Sequence, residues 1–78
     1  MIQILLFAQL KETVGQAKLT IEEEAITISE LKQRYLSRYG INDQLDEAMI
    51  AVNEEYAKAD TTVHAGDTVA FIPPVSGG

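Results

Sequence analysis

Cysteine and histidine, the side chains most ready for nucleophilic and acid–base chemistry near neutral pH, are nearly missing from this chain of 78 residues. It has no cysteine, which removes a thiol nucleophile, a thiolate metal site and a disulfide framework. Its one histidine, His64, sits in the turn-like run His64-Ala65-Gly66-Asp67, with no carboxylate or nucleophile at a spacing that would make it a base. The acidic run Glu22-Glu23-Glu24 reads as a solvated turn, not a metal site. The end of the sequence, Pro73-Pro74-Val75-Ser76-Gly77-Gly78, taken alone reads as a frayed terminus, and it gains weight as a site because the glycines follow a rigid Pro-Pro segment leading out of a central strand. A carboxyl group on Gly78 is anionic at neutral pH and a poor electrophile until something esterifies it. Gly77 and Gly78 have no Cβ, so their backbone can thread a narrow channel and lie flat against an active site. Val75 to Gly78 reach at most ~13–14 Å when extended. Pro73 and Pro74 hold the root stiff, which lowers the ordering entropy lost on insertion.

Composition narrows the partners. Apolar residues make up 46% and charged residues 23%, enough for a packed core. Twelve acidic against six basic residues leave a formal charge of −6. Nucleic acid needs a clustered basic footprint that this chain lacks, and an anionic membrane surface would repel it. A basic protein surface would attract it. No apolar run approaches the ~20 residues of a membrane span, and MIQILLFAQLKE does not read as a signal peptide, so the expected compartment is the cytoplasm.

The elements that must position the tail follow from periodicity. Ile2 to Ala8 alternates as a strand, with Ile2, Ile4, Leu6 and Ala8 on one side and Gln3, Leu5 and Phe7 on the other. Gln9 to Val14 is expected to make a helical turn or two ended by Gly15. Ala17 to Glu22 is a second strand, antiparallel to the first. Thr27 and Glu30 have capping-box spacing, ahead of a helix over 28–39 whose apolar stripe is Ile28, Leu31, Tyr35 and Tyr39, with Leu36 beside it. Gly40 suits the position after its end. Asn42 to Glu47 reads as a polar connection and Met49 to Val52 as a third strand. Asn53-Glu54 is a turn, Tyr56 lies on a short return segment, and Thr68 to Ile72 is the last strand, ended by Pro73-Pro74. One helix of about three turns covers only one face of such a sheet. The predicted fold is therefore an α+β roll of the β-grasp type. It has a four- to five-stranded mixed sheet, one main helix on one face, and the first and last strands parallel in mid-sheet. Residues 1–74 form the domain and 75–78 a flexible tail.

Alternation also predicts a second apolar face. If the helix covers Ile2, Ile4, Leu6, Ile50, Val52, Val69 and Phe71, then Leu5, Phe7, Met49, Ala51, Ala70 and Ile72 point the other way, with Tyr56 on the border. An apolar patch on the open side of a small domain marks an interface.

The segments IQILLFAQLKETVG, TISELKQ, MIAVNEEYA and HAGDTVAFIPPVSGG resemble the ubiquitin-like sulfur carriers, and more narrowly the small subunits of molybdopterin synthase. The resemblance spans the whole chain. It implies that an enzyme related to the ubiquitin-activating enzymes uses ATP to adenylate Gly78. A sulfurtransferase donor then leaves a thiocarboxylate there. It also implies that the large catalytic subunit of molybdopterin synthase takes the inserted arm and converts a cyclic pyranopterin monophosphate to molybdopterin, in a heterotetramer. The carry-over residues are Gly78 as acyl carrier, Gly77 as flexible link and Pro73, Pro74, Val75 and Ser76 as the arm. Leu5, Phe7, Tyr56, Ala70 and Ile72 supply the docking face. The chain itself is expected to be no enzyme and to bind no cofactor or metal. A carrier for thiamin, cysteine or tRNA thiolation, and a protein modifier joined to lysine, are alternatives.

Overall fold

The computed structural model describes residues 1–74. In chain order these form β1 (Ile2–Leu6), α1 (Ala8–Val14), β2 (Lys18–Ile21), β3 (Ala25–Thr27), a helical run over 28–39 called α2, α3 (Asn42–Glu47), β4 (Met49–Val52), β5 (Glu55–Ala57), β6 (Thr62–His64) and β7 (Thr68–Ile72). Five strands make a mixed sheet in the order β2-β1-β7-β4-β5. The first and last strands, β1 and β7, pair in parallel at its centre, with Leu5 beside Ala70 and Leu6 beside Phe71. This is the β-grasp roll predicted from the element order. The tail over 75–78 lies outside the described residues.

Burial follows the alternation of each strand. Ile2, Ile4 and Leu6 on β1, Ile50 on β4 and Val69 and Phe71 on β7 are buried beneath the helices, with Leu10, Ile28, Leu31, Leu36, Ile41 and Leu45 packed among them. Among the described residues no polar or charged side chain is buried. Val52, the remaining residue expected on this side, is half-buried against the same core.

The expected helix start forms as a reciprocal cap. The Glu30 N–H donates to Thr27 Oγ1 at 3.1 Å, and the Thr27 N–H donates to Glu30 Oε1 at 3.4 Å. The run then departs from regular winding: Ile28–Leu31 is α, Lys32–Leu36 is π and Ser37–Tyr39 is 3₁₀. In a π turn the backbone bonds i to i+5, so residue 36 stands one turn along from residue 31 on the same side of the helix. Leu36 is thereby fully buried beside Leu31, and Tyr35 and Tyr39 move to the half-buried rim. A regular helix would have put Tyr35 in the stripe and Leu36 at its side. Gly40 ends the run in a left-handed conformation at φ +70.

Other expectations are corrected. Ala8 leaves the first strand: it is exposed, starts α1 and has φ +52, strained for a residue with a Cβ. Asn42–Glu47 is helix α3, not a connection; only Ile41 and Leu45, four apart, are buried there, and so short a pattern has no visible period. His64 ends strand β6, which pairs antiparallel with β3 in a separate two-stranded sheet. Each of these strands buries one residue, Ile26 and Val63, placed opposite each other. Three-residue strands with one apolar residue do not show as alternation.

Candidate functional site

The helices cover one face of the five-stranded sheet and leave the other open. Register aligns its residues into rows. Lys18, Leu5, Ala70, Ala51 and Tyr56 lie side by side on β2, β1, β7, β4 and β5. Towards one end of the sheet the next row is polar, with Thr20, Gln3 and Thr68. Towards the other it is large and apolar, with Ile72 opposite Met49 and Phe7 just beyond β1. Phe7, Met49 and Tyr56 are 44%, 47% and 79% exposed, large values for side chains of this size. Leu5, Ala51, Ala70 and Ile72 are half-buried. Every docking residue read from the sequence within the described part thus stands on this face or, for Tyr56, at its edge. Pro73 and Pro74 continue β7 from its apolar end. Val75, Ser76, Gly77 and Gly78 lie outside the described residues.

Leu5, Phe7, Ala51, Ala70 and Ile72 line one open concavity, and Asn53, Glu54 and Thr68 close its polar end. Those last three were not among the site residues read from the sequence. For Thr68 a signal existed: it shares strand parity with Ala70 and Ile72. Asn53-Glu54 was legible only as a turn. Both residues have positive φ, +52 and +73, which makes the two-residue hairpin between β4 and β5 follow the twist of its strands.

Hydrogen bonds hold this turn to the root of β7. Asn53 Nδ2 donates to Asp67 Oδ1 at 3.0 Å, and the Thr68 N–H donates to Asn53 Oδ1 at 3.0 Å. The His64 N–H donates to Asp67 Oδ2 at 2.8 Å. That backbone bond, and after it the Asn53 amide, stabilise the charged Asp67 carboxylate and lower its pKa below the ordinary 3.8.

The acidic run Glu22-Glu23-Glu24 lies away from this face and is tied to α2. Glu23 accepts from the Tyr35 hydroxyl and pairs with Arg34 at 3.6 Å. The bond to Glu23, then desolvation, raises the Tyr35 pKa above its usual 10.0. No group of three or more histidine or carboxylate side chains is placed to hold a metal among the described residues. No described helix is long and apolar enough to cross a membrane. The open face is apolar at its centre and shaped to receive a partner surface.

Comparison with known proteins agrees with this geometry. The sequence pattern of the ThiS family matches residues 4–78. The molybdopterin synthase sulfur carrier subunit of Escherichia coli (strain K12) is 33% identical over 81 aligned residues that cover 100% of each chain. Among solved structures, SAMP1 from Haloferax volcanii superposes with a TM-score of 0.83 at 24% identity, covering 99% of this chain and 98% of that one. A chain from the complex of subunits 1 and 2 of molybdopterin-converting factor of Helicobacter pylori superposes with a TM-score of 0.71 at 23% identity, covering 99% of this chain and 97% of that one.

Proposed function

Because the chain belongs to the ThiS family, we propose that it is a sulfur carrier of molybdenum cofactor biosynthesis, the sulfur-donating small subunit of a molybdopterin synthase. The observation that carries this reading is the position of β7. It is a central strand whose outward side chains, Ala70 and Ile72, belong to the open apolar face, and it runs directly into Pro73-Pro74. The open face and the start of the arm, Pro73-Pro74, are therefore contributed by the same central strand. The full-length similarity to the E. coli sulfur carrier subunit supports the same role.

The chemistry proposed for Gly78 has two parts. In loading, an activating enzyme joins the carboxylate to the AMP part of ATP with loss of pyrophosphate. A sulfide equivalent from a sulfurtransferase then displaces AMP and leaves a thiocarboxylate. In delivery, the thiocarboxylate sulfur attacks an oxygen-bearing carbon of the pyranopterin precursor on the large subunit. A C–O bond of that carbon breaks with the oxygen group leaving as the C–S bond forms, and hydrolysis of the acyl–sulfur bond returns the carboxylate and leaves the sulfur on the pterin. Gly77 keeps the last link slim, and Val75 and Ser76 complete the arm that starts at Pro73 and Pro74. Acid–base and substrate-binding groups belong to the large subunit, so this chain acts as donor and not as enzyme. ATP is consumed on the activating enzyme and is not a resident of this chain.

Intact-mass spectrometry of the chain after incubation with the activating enzyme, ATP and a sulfur donor tests the reading. The expected result is a mass gain equal to exchange of one oxygen for one sulfur at Gly78. Deletion of Gly77 and Gly78 should abolish that gain and leave the thermal unfolding of the domain unchanged. A full gain in the deletion variant would overturn the assignment of Gly78, and an isopeptide conjugate to lysine would point to a modifier instead.

A further inference from the structure

Resting on that docking reading, we infer that the open face holds a socket, not a flat patch, and that the large partner inserts one bulky apolar side chain, flanked by a cation, over Ala51 and Ala70. The register carries this. Across the middle row the two inner positions are both alanine, with Leu5 on one side and Tyr56 on the other. Leu5 walls the concavity on the β1 side, Tyr56 stands outside it on the edge strand, and the two alanines on adjacent strands about 4.8 Å apart leave room for one aromatic or branched side chain. Ile72 and Phe7 raise the apolar end, and Asn53, Glu54 and Thr68 raise the polar end. The floor is two methyl groups and every wall is larger. A side chain seated there meets apolar surface on several sides and shields Phe7 and Tyr56 from water.

The direction of β7 identifies the occupant. From Ala70 to Pro74 is four residues of nearly extended chain, at most ~13–14 Å, and Val75 to Gly78 reach about as far again. A protein that holds the last residues of this chain therefore lies within about 26–29 Å of Ala70, and β7 leaves the sheet at the apolar end of the socket. The flanking cation follows from charge. Glu54 is exposed on the lip and has no ion-pair partner among the described residues, and the whole chain carries a net −6.

Binding of the full chain to its large partner, measured by calorimetry, separates the socket from a flat patch. Ala51→Leu and Ala70→Leu add apolar bulk on the solvent side of the sheet. A flat patch would bind as well or better, whereas a filled socket should weaken binding about 10- to 100-fold. Glu54→Gln should slow association and flatten its dependence on salt. Phe7→Arg serves as the reference, because it should lose binding if this face docks at all. Loss with Phe7→Arg but full affinity with both leucine variants overturns the socket alone. Full affinity with Phe7→Arg overturns the docking reading beneath it. Thermal unfolding of each variant shows that the fold is kept. A wild-type homodimer in sedimentation that the leucine variants dissociate would make a second copy the occupant and overturn the assignment to the large partner.

Discussion

Asp67 shows what single residues contribute here. Its carboxylate receives the His64 N–H and the Asn53 amide, and Asn53 in turn accepts from the N–H of Thr68, the first residue of β7. Its folded pKa lies below the unfolded value of 3.8, so its stabilising contribution is complete above that value and is lost as pH falls through the folded one. Asp67→Asn should therefore lower the urea midpoint at neutral pH, and the gap from wild type should narrow as the pH falls below 3.8 and through the lowered folded pKa. Equal midpoints for the two proteins at neutral pH would remove Asp67 from the account. The Asn53-Glu54 turn, which this carboxylate anchors, forms the lip of the open concavity, so the same residues link stability to the shape of the docking face.

At the scale of elements, the change of winding in α2 is the main departure from simple periodicity. The π turn over Lys32–Leu36 brings Leu36 beneath Leu31 and sends Tyr35 to the rim, where its hydroxyl meets Glu23. Leu36→Ala is expected to cost about 2–5 kcal/mol, the range for deleting a fully buried leucine. Tyr39→Ala, at a half-buried site, should cost clearly less. Chemical denaturation of the two variants checks this ordering, and equal losses would mean that the stripe is regular after all. The arrangement also ties the β2–β3 connection to the helix through Glu23, Arg34 and Glu30, with Arg34 at 3.6 Å from the first and 3.4 Å from the second. The Arg34–Glu30 pair is solvent-exposed and the Arg34–Glu23 pair half-buried at its carboxylate, and ion pairs so open to water add little individually.

For the whole molecule, division of the sheet into a covered and an open face separates stability from recognition. The core is closed by three helical segments on one side, and side chains on the other can change without leaving a cavity. The charge of −6 acts over longer range. If the partner surface is basic, the association rate measured by stopped flow should fall as salt rises from low to physiological strength, where the screening length shortens to about 8 Å. A rate independent of salt would confine recognition to the apolar contacts.

Several features were legible in the amino-acid order because they depend on near neighbours. The capping box at Thr27 and Glu30, the left-handed positions at Gly15 and Gly40, the strand alternation and the two faces it implies all follow from local backbone geometry. The antiparallel pairing of the first two strands and the parallel central pair followed from the number and sequence of those elements, whereas the places of β4 and β5 did not. The small pair β3 and β6, helix α3 and the π turn did not, because each is stabilised by contacts with residues far along the chain. Ile26 needs Val63 opposite it, and Leu36 needs a vacancy beneath Leu31 that only the assembled core defines. The same holds for the concavity. Sequence parity placed Ala51 and Ala70 on the open side, but only strand register made them neighbours and set Leu5 and the Asn53-Glu54 lip around them. Local order selects the direction in which a side chain points, whereas packing across the sheet decides what stands next to it.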